Sequence, residues 1–127
     1  MNLPCLLIVD DETGVRQSLK MVFNKGYRLL EAGSADTAIS QARQERPHVV
    51  LLDILMPKID GIEILRQIKT FSPQSEVIIL TGSNSLQLTK AAMDFGAFDF
   101  VGKPFDVVQL RHKVSLALEK SRQSQPT

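Results

Sequence analysis

Three carboxylates and one ammonium stand where apolar runs of this sequence stop. Asp10 and Asp11 follow Leu6-Leu7-Ile8-Val9, and Asp53 follows Val49-Val50-Leu51-Leu52. Lys103 follows Phe100-Val101-Gly102 and precedes Pro104, while Val77-Ile78-Ile79-Leu80 runs into Thr81. If the runs are parallel strands, these residues share one sheet edge, where open α/β folds put their ligand sites. Carboxylates gathered there raise each other's pKa unless a cation joins them. Mg²⁺ suits such a pocket, because it is a hard cation that takes oxygen ligands and keeps open positions. Zinc would favour His or Cys. A phosphoryl group arriving there would meet the metal, the Lys103 ammonium and the Thr81 hydroxyl, and its transfer is mostly positioning and charge stabilisation. Asp53 is then the natural nucleophile, since a carboxylate can form an aspartyl-phosphate.

A single Asp at a strand end is ordinarily a turn or cap residue. Asp10 and Asp11 alone could cap the helix after the first strand. That reading leaves unexplained a third Asp ending the third strand, with Thr81 and Lys103 ending the next two.

The elements that must position these residues alternate along the chain. Residues 5–9 form a short, continuous, branched apolar run, as in a strand covered on both faces. Val15, Leu19, Val22 and Phe23 then mark one helix face. Residues 27–30 read as a weaker strand with Arg28 inside it, which suits a sheet edge. Ser34 is the expected N-cap of a helix whose face is Ala35, Ala38, Ile39 and Ala42. Residues 48–52 are the expected central strand. A loop with Pro57 and Gly61 follows, with Asp60 as N-cap of a helix lined by Ile64, Leu65 and Ile68. Residues 77–80 are another buried strand. Leu88, Ala91, Ala92 and Phe95 give a fourth helix face, ended by Gly96 as its C-cap. Residues 98–101 are the fifth strand, and Val107, Leu110, Val114 and Leu118 define the fifth helix. Five strand–helix repeats with right-handed crossovers predict an α/β fold. It is a three-layer doubly wound (βα)5 domain, flavodoxin-like, with parallel strand order 2-1-3-4-5. The first and third strands are then neighbours, which sets Asp10, Asp11 and Asp53 side by side. The domain is expected over residues 1–119, with 120–127 a polar tail, read as a fraying helix end or the start of a linker.

The 127 residues suit one domain, and 43% hydrophobic content is ordinary for a globular chain. A net charge of +1 gives no bulk attraction to nucleic acid or to a membrane surface. No apolar run nears the roughly 20 residues of a membrane span, and the N-terminus lacks the pattern of a secretory signal. With the single Cys5 these features point to the cytoplasm. Cys5 reads as a small core side chain, and His48 and His112 as structural or surface residues.

Taken in order, the elements Leu7-Ile8-Val9-Asp10-Asp11-Glu12, Leu52-Asp53-Ile54-Leu55-Met56-Pro57, Asp60-Gly61, Thr81-Gly82, Gly96-Ala97-Phe98-Asp99-Phe100 and Lys103-Pro104-Phe105 give a close resemblance. The sequence resembles a receiver domain of two-component response regulators over residues 5–119. The resemblance implies that Asp53 accepts phosphate from a sensor histidine kinase or phosphotransfer protein. It implies that Asp11, Asp53 and the Leu55 backbone carbonyl bind Mg²⁺, with Asp10 acting mainly through a water. Lys103 would pair with the acidic cluster and then with the phosphoryl group. Thr81 and Phe100 would be the switch pair, and Lys103–Pro104 would be a cis peptide.

The implied function is a phosphoprotein switch in signal transduction or a phosphorelay. Its helix 4/strand 5/helix 5 surface would control an output domain or effector, or a phosphorylation-dependent homodimer. The domain itself would not bind nucleic acid, and its only chemistry would be its own phosphorylation and dephosphorylation. The segment from Gly96 to Phe105 is similar to receivers attached to enhancer-binding transcription activators. Some positions depart from the common pattern. Gly82 stands where Ala is frequent, and Phe100 lacks the hydroxyl of a Tyr, so its movement must be driven by packing. Leu55 and Ser83 flank the phosphoryl position, and Leu55 has no polar atom to orient an attacking water, which predicts slow to moderate self-dephosphorylation.

The rival readings are weaker. A Mg²⁺-dependent phosphatase with an Asp nucleophile, as in haloacid-dehalogenase-type enzymes, needs a second acid two residues after the nucleophile, where this sequence has Leu55. A non-phosphorylated module of the same fold would not need the intact acidic cluster. A flavodoxin-like nucleotide binder would need a glycine-rich phosphate loop after the first strand.

Overall fold

The computed structural model describes residues 2–57, 59–82 and 85–124. A five-stranded parallel sheet forms its middle layer, in the order β2 (Arg28–Ala32), β1 (Cys5–Val9), β3 (Val49–Asp53), β6 (Glu76–Thr81), β7 (Asp99–Gly102). Setting aside a two-stranded ribbon between β3 and β6, this is the expected 2-1-3-4-5 arrangement. The helices are α1 (Thr13–Phe23), α2 (Ala35–Glu45), α3 (Gly61–Phe71), α4 (Leu86–Asp94) and α5 (Val107–Gln123).

The three central strands are buried at every position, which is why their sequences are continuous apolar runs rather than alternating ones. Successive side chains still point to opposite faces, and two cores result. Leu7, Val9, Val50, Leu52, Val77 and Ile79 pack on α2, α3 and α4 through Ala38, Ala42, Ile64, Leu65, Ile68 and Ala92. Leu6, Ile8, Val49, Leu51, Ile78 and Leu80 pack on α1 and α5 through Leu19, Phe23, Leu110, Val114 and Ala117. Each such leucine or isoleucine contributes about 1.5–3 kcal/mol by leaving water.

The expected caps are present. Ser34 accepts from the Thr37 amide at 3.2 Å and Asp60 from the Glu63 amide at 3.2 Å. Gly96 follows α4 at φ +100°, a backbone region that glycine enters without strain. Asp106, not singled out from the sequence, also caps α5 by accepting from the Gln109 amide at 3.1 Å.

Several expectations need correction. The segment around Pro57 is not a plain loop, because β4 (Leu55–Met56) and β5 (Ile59–Asp60) pair antiparallel there. His48 precedes β3 instead of opening it, and its Nδ1 accepts from the Cys5 amide at 3.1 Å. The edge strand begins at Arg28, one residue later than expected, and runs to Ala32. The apolar face of α4 is also different. Leu88 and Phe95 are exposed at 38% and 49%, and the buried residues are Thr89 and Ala92. Residues 120–123 continue α5, in line with the helix-end reading of the tail, and Ser121 is buried. His112 is exposed on α5. Cys5 is buried, and burial pushes its thiol up, with Glu45 adding to the shift and Arg28 opposing it.

Candidate phosphoacceptor site

Backbone register brings the strand ends together. Val9 lies beside Leu52 in the β1–β3 pairing, so Asp10 and Asp53 are the next residues on adjacent strands. Hydrogen bonds carry the pairing past the strand ends, from the Ile54 amide to the Leu80 carbonyl at 3.2 Å and from the Lys103 amide to the Thr81 carbonyl at 2.8 Å. Gly61 fixes the turn after Asp53 from below. A Cβ there would sit 3.0 Å from the Ile54 oxygen and 3.1 Å from its Cα, a tight approach to backbone that a side chain could take only if the turn gave by a few tenths of an ångström.

Lys103 is the centre of the cluster. Its Nζ donates to Asp10 Oδ2 and to Asp53 Oδ2, each at 3.2 Å. The Lys103–Pro104 peptide is cis. Asp10 is fully buried, and its other oxygen accepts the Glu12 amide at 2.9 Å. Both Asp10 oxygens are therefore engaged by the protein. Asp10 thus closes an Asx-type turn at the entry to α1, while the N-cap position itself is Glu12, whose side chain makes no cap bond.

Asp53 is 4% exposed, and its Oδ1 accepts the Leu55 amide at 3.0 Å. The two bonds, one to each oxygen, fix the carboxylate plane. Burial pushes the Asp53 carboxyl above its usual range, and Asp10 adds to this, against the Leu55 amide and Lys103, which lower it. Burial pulls the Lys103 ammonium down, but the Asp53 and Asp10 carboxylates outweigh it and the net shift is upward. Two carboxylates facing one ammonium leave the centre short of positive charge.

A metal would meet oxygen donors here. Asp10, Asp11 and Glu12 have ligand atoms within 4.8 Å of one another, and Asp11 and Glu12 are exposed. An all-oxygen, acidic donor set matches Mg²⁺. Sequence reasoning singled out Asp10 and Asp11 but not Glu12, although it stands in the same acidic run.

Thr81 and Phe100 lie on one face of the sheet. Phe100 pairs with Ile79, which faces α4, and Thr81 is two residues beyond Ile79. Thr81 is 8% exposed, and its hydroxyl is 2.9 Å from that of Thr89 on α4. Phe100 is 43% exposed. Lys113 of α5 reaches over it, with Nζ 5.3 Å from the ring centroid, donating to the Phe100 carbonyl at 2.7 Å and pairing with Asp99 at 3.4 Å. Leu55 is 55% exposed at the mouth of the site, and Ser83 falls outside the described residues.

Sequence reasoning missed Arg16, which ties the site to the edge strand. Its Nη1 donates to the Asp10 carbonyl at 2.7 Å and its Nε to Glu31 at 2.9 Å. Gly33 leaves room for it, since a Cβ there would lie 2.9 Å from Nη1. The available signal was Glu31, a charged residue in an edge strand opposite Arg16 and Lys20.

The fold and site together define a doubly wound domain with a lysine-bridged acidic centre at the carboxyl edge of its sheet. Residues 6–115 match the family model described as response regulator receiver domain. The chain belongs to that family.

Among curated relatives, sporulation initiation phosphotransferase F of Bacillus subtilis (strain 168) is 40% identical over 110 residues, covering 86% of this chain and 89% of the relative. Response regulator MprA of Mycobacterium leprae (strain TN) is 32% identical over 119 residues, 92% of this chain but 52% of the relative. The chain thus spans most of the first relative and about half of the second. A response regulator receiver domain protein from Clostridium thermocellum superimposes with a TM-score of 0.91 at 32% identity, covering 97% of this chain and all of that one. NtrX from Brucella abortus gives 0.88 at 30% identity, covering 96% of this chain and 28% of that one. The protein is a receiver domain of the two-component response-regulator class, whose role is to accept a phosphoryl group. Among the described residues no helix is long and apolar enough to cross a membrane.

Proposed function

We propose that Asp53 is the phosphoacceptor and that the phosphoryl donor is a phosphohistidine on a sensor kinase or phosphotransfer protein. The observation that carries this reading is the Asp53 carboxylate at the end of β3, 4% exposed, held by the Leu55 amide on one oxygen and by Lys103 on the other. An Asp53 oxygen forms the new P–O bond as the P–N bond to the donor imidazole breaks. Lys103, already between Asp10 and Asp53, is placed to follow the negative charge onto the phosphoryl oxygens.

Asp11, Asp53 and the Leu55 carbonyl would hold Mg²⁺, with Asp10 acting through a water and Glu12 beside them. The ion would supply positive charge for the incoming oxygens. Asp10, with both oxygens already engaged, suits an indirect role.

The phosphoryl group brings about −1.5 to −2 charge and new acceptor oxygens. Thr81 turns its hydroxyl to one of them, and Phe100 packs inward into the space that Thr81 leaves. The face made by α4, β7 and α5 then changes its affinity for a partner, which is an output domain, an effector protein or a second copy of this domain. The domain works in the cytoplasm, performs only its own phosphorylation and dephosphorylation, and does not contact nucleic acid or membrane. The exposed, apolar Leu55 stands where a phosphatase would need its second acid.

Acetyl phosphate with Mg²⁺ tests the reading by intact mass. A phosphoryl adduct on the wild type, lost with EDTA and in Asp53→Asn, is expected. An adduct that persists in Asp53→Asn would reject Asp53 as acceptor.

A further inference from the structure

The Thr81 hydroxyl is committed to α4. Thr89, at 5% exposure, donates its one hydroxyl proton to the Ser85 carbonyl at 2.8 Å. Either hydroxyl could donate in the 2.9 Å contact between them; with the Thr89 proton on the shorter Ser85 bond, Thr81 is the donor. Its other acceptor among the described residues is its neighbour's carbonyl, Gly82 O, at 3.3 Å. Phosphoryl oxygens only accept hydrogen bonds. Thr81 has one proton, so donating it to Thr89 and donating it to a phosphoryl oxygen are mutually exclusive.

We propose that Thr89 is a positioning residue that holds the Thr81 hydroxyl on α4 and so biases the domain toward its unphosphorylated arrangement. The inference rests on Asp53 as phosphoacceptor and Thr81 as its switch hydroxyl.

Release strands no buried donor. Thr89 keeps its bond to Ser85 when Thr81 leaves, and Thr81 exchanges one acceptor for another. The cost of switching is the difference between a neutral hydroxyl contact and a charge-assisted one, and the latter is roughly twice as strong. The latch is thus weak enough for one phosphoryl group to open. The start of α4 has a second loose element: Ser85 Oγ is buried with no partner among the described residues. The hydroxyl at position 89 also explains why α4 buries a threonine where an apolar face was expected.

Thr89→Val removes the acceptor while keeping the side chain's shape. Loss of one neutral hydrogen bond from the resting arrangement should tighten Mg²⁺-dependent binding of beryllofluoride, an acyl-phosphate mimic, about fivefold. Acetyl phosphate should modify the variant correspondingly faster. Thr89→Ser retains the hydroxyl and should match the wild type. Three-bond couplings should show Thr81 in one χ1 rotamer in the wild type and Thr89→Ser, and in mixed rotamers in Thr89→Val. Thr89→Ala removes the same acceptor and is read instead if the valine variant does not fold. Unchanged or weaker beryllofluoride binding in the hydroxyl-less variant, or an unchanged Thr81 rotamer, overturns the inference and leaves the phosphoacceptor reading standing. A wild type that binds no beryllofluoride with Mg²⁺ overturns both.

Discussion

Replacing Lys103 by methionine removes the only positive charge within hydrogen-bond reach of both Asp10 and Asp53 among the described residues. The carboxylates stay buried, at 0% and 6% side-chain exposure, while Lys103 itself is 27% exposed. Two charge-assisted hydrogen bonds are lost, and the centre goes from one excess negative charge to two. Hydrogen bonds to charged groups contribute about 1.5–3 kcal/mol each, and removing one partner of a buried pair costs about 3–5 kcal/mol. Solvent access to Lys103 and packing of the methionine stem reduce the sum, so about 3 kcal/mol is expected at pH 7 in EDTA.

Mg²⁺ changes the comparison. The doubly negative centre should hold the ion more tightly, and ligand at about 100 times its Kd adds about 2.7 kcal/mol to a fold. The variant should therefore recover more stability from Mg²⁺ than the wild type does. Urea unfolding of both proteins, in EDTA and in a Mg²⁺ series, reads the difference. A stability gap equal in EDTA and saturating Mg²⁺ would refute the electrostatic reasoning, and no gap in EDTA would refute the role of Lys103 as counter-charge.

Three other perturbations have definite outcomes. Leu55→Asn places a polar group at the mouth of the site and should speed loss of the phosphoryl group from the purified adduct; an unchanged decay rate would clear Leu55 of any part in slowing hydrolysis. Gly61→Ala drives a Cβ against the Ile54 backbone, should cost about 1–3 kcal/mol in urea unfolding, and should slow acetyl phosphate labelling because the turn after Asp53 shifts. Burial pulls the His48 imidazole below its usual range, with Arg122 and Arg28 adding to this. Its folded pKa is thus below its unfolded value of about 6.5. The stability it contributes is present above that value and is lost as pH falls through it toward the folded pKa. His48→Gln should show a flatter decline in stability from pH 7 to pH 5 than the wild type, and an equal slope would contradict this.

The strands were legible because β1, β3 and β6 are buried on both faces, and a run such as Val49–Leu52 has few alternatives. Their order, and the meeting of Asp10, Asp53 and Lys103, followed from chirality and the position of each residue at a strand end. Helix α4 was not legible in the same way. Leu88, Ala91, Ala92 and Phe95 have helical spacing, but spacing does not say which face a neighbour covers. Here Leu88 and Phe95 meet solvent, and Arg66 from α3 lies over the Phe95 ring at 5.5 Å. The residues that contact Thr81 and Phe100, namely Thr89 and Lys113, were invisible for another reason. Each is an ordinary helix residue whose importance comes from a partner 8 or 13 positions away in the chain. Arg16 belongs with them, since its role depends on the space over Gly33 and on Glu31 across the sheet edge.

The central claim is a covalent bond between phosphorus and one Asp53 oxygen. Borohydride reduces an acyl phosphate to the alcohol, so an aspartyl-phosphate becomes homoserine and can be located by peptide mass spectrometry. After treatment with acetyl phosphate and Mg²⁺, homoserine at position 53 and at no other Asp is the predicted result. Labelling at Asp10 or Asp11 instead, or none at any carboxylate when Mg²⁺ is present, would contradict the account.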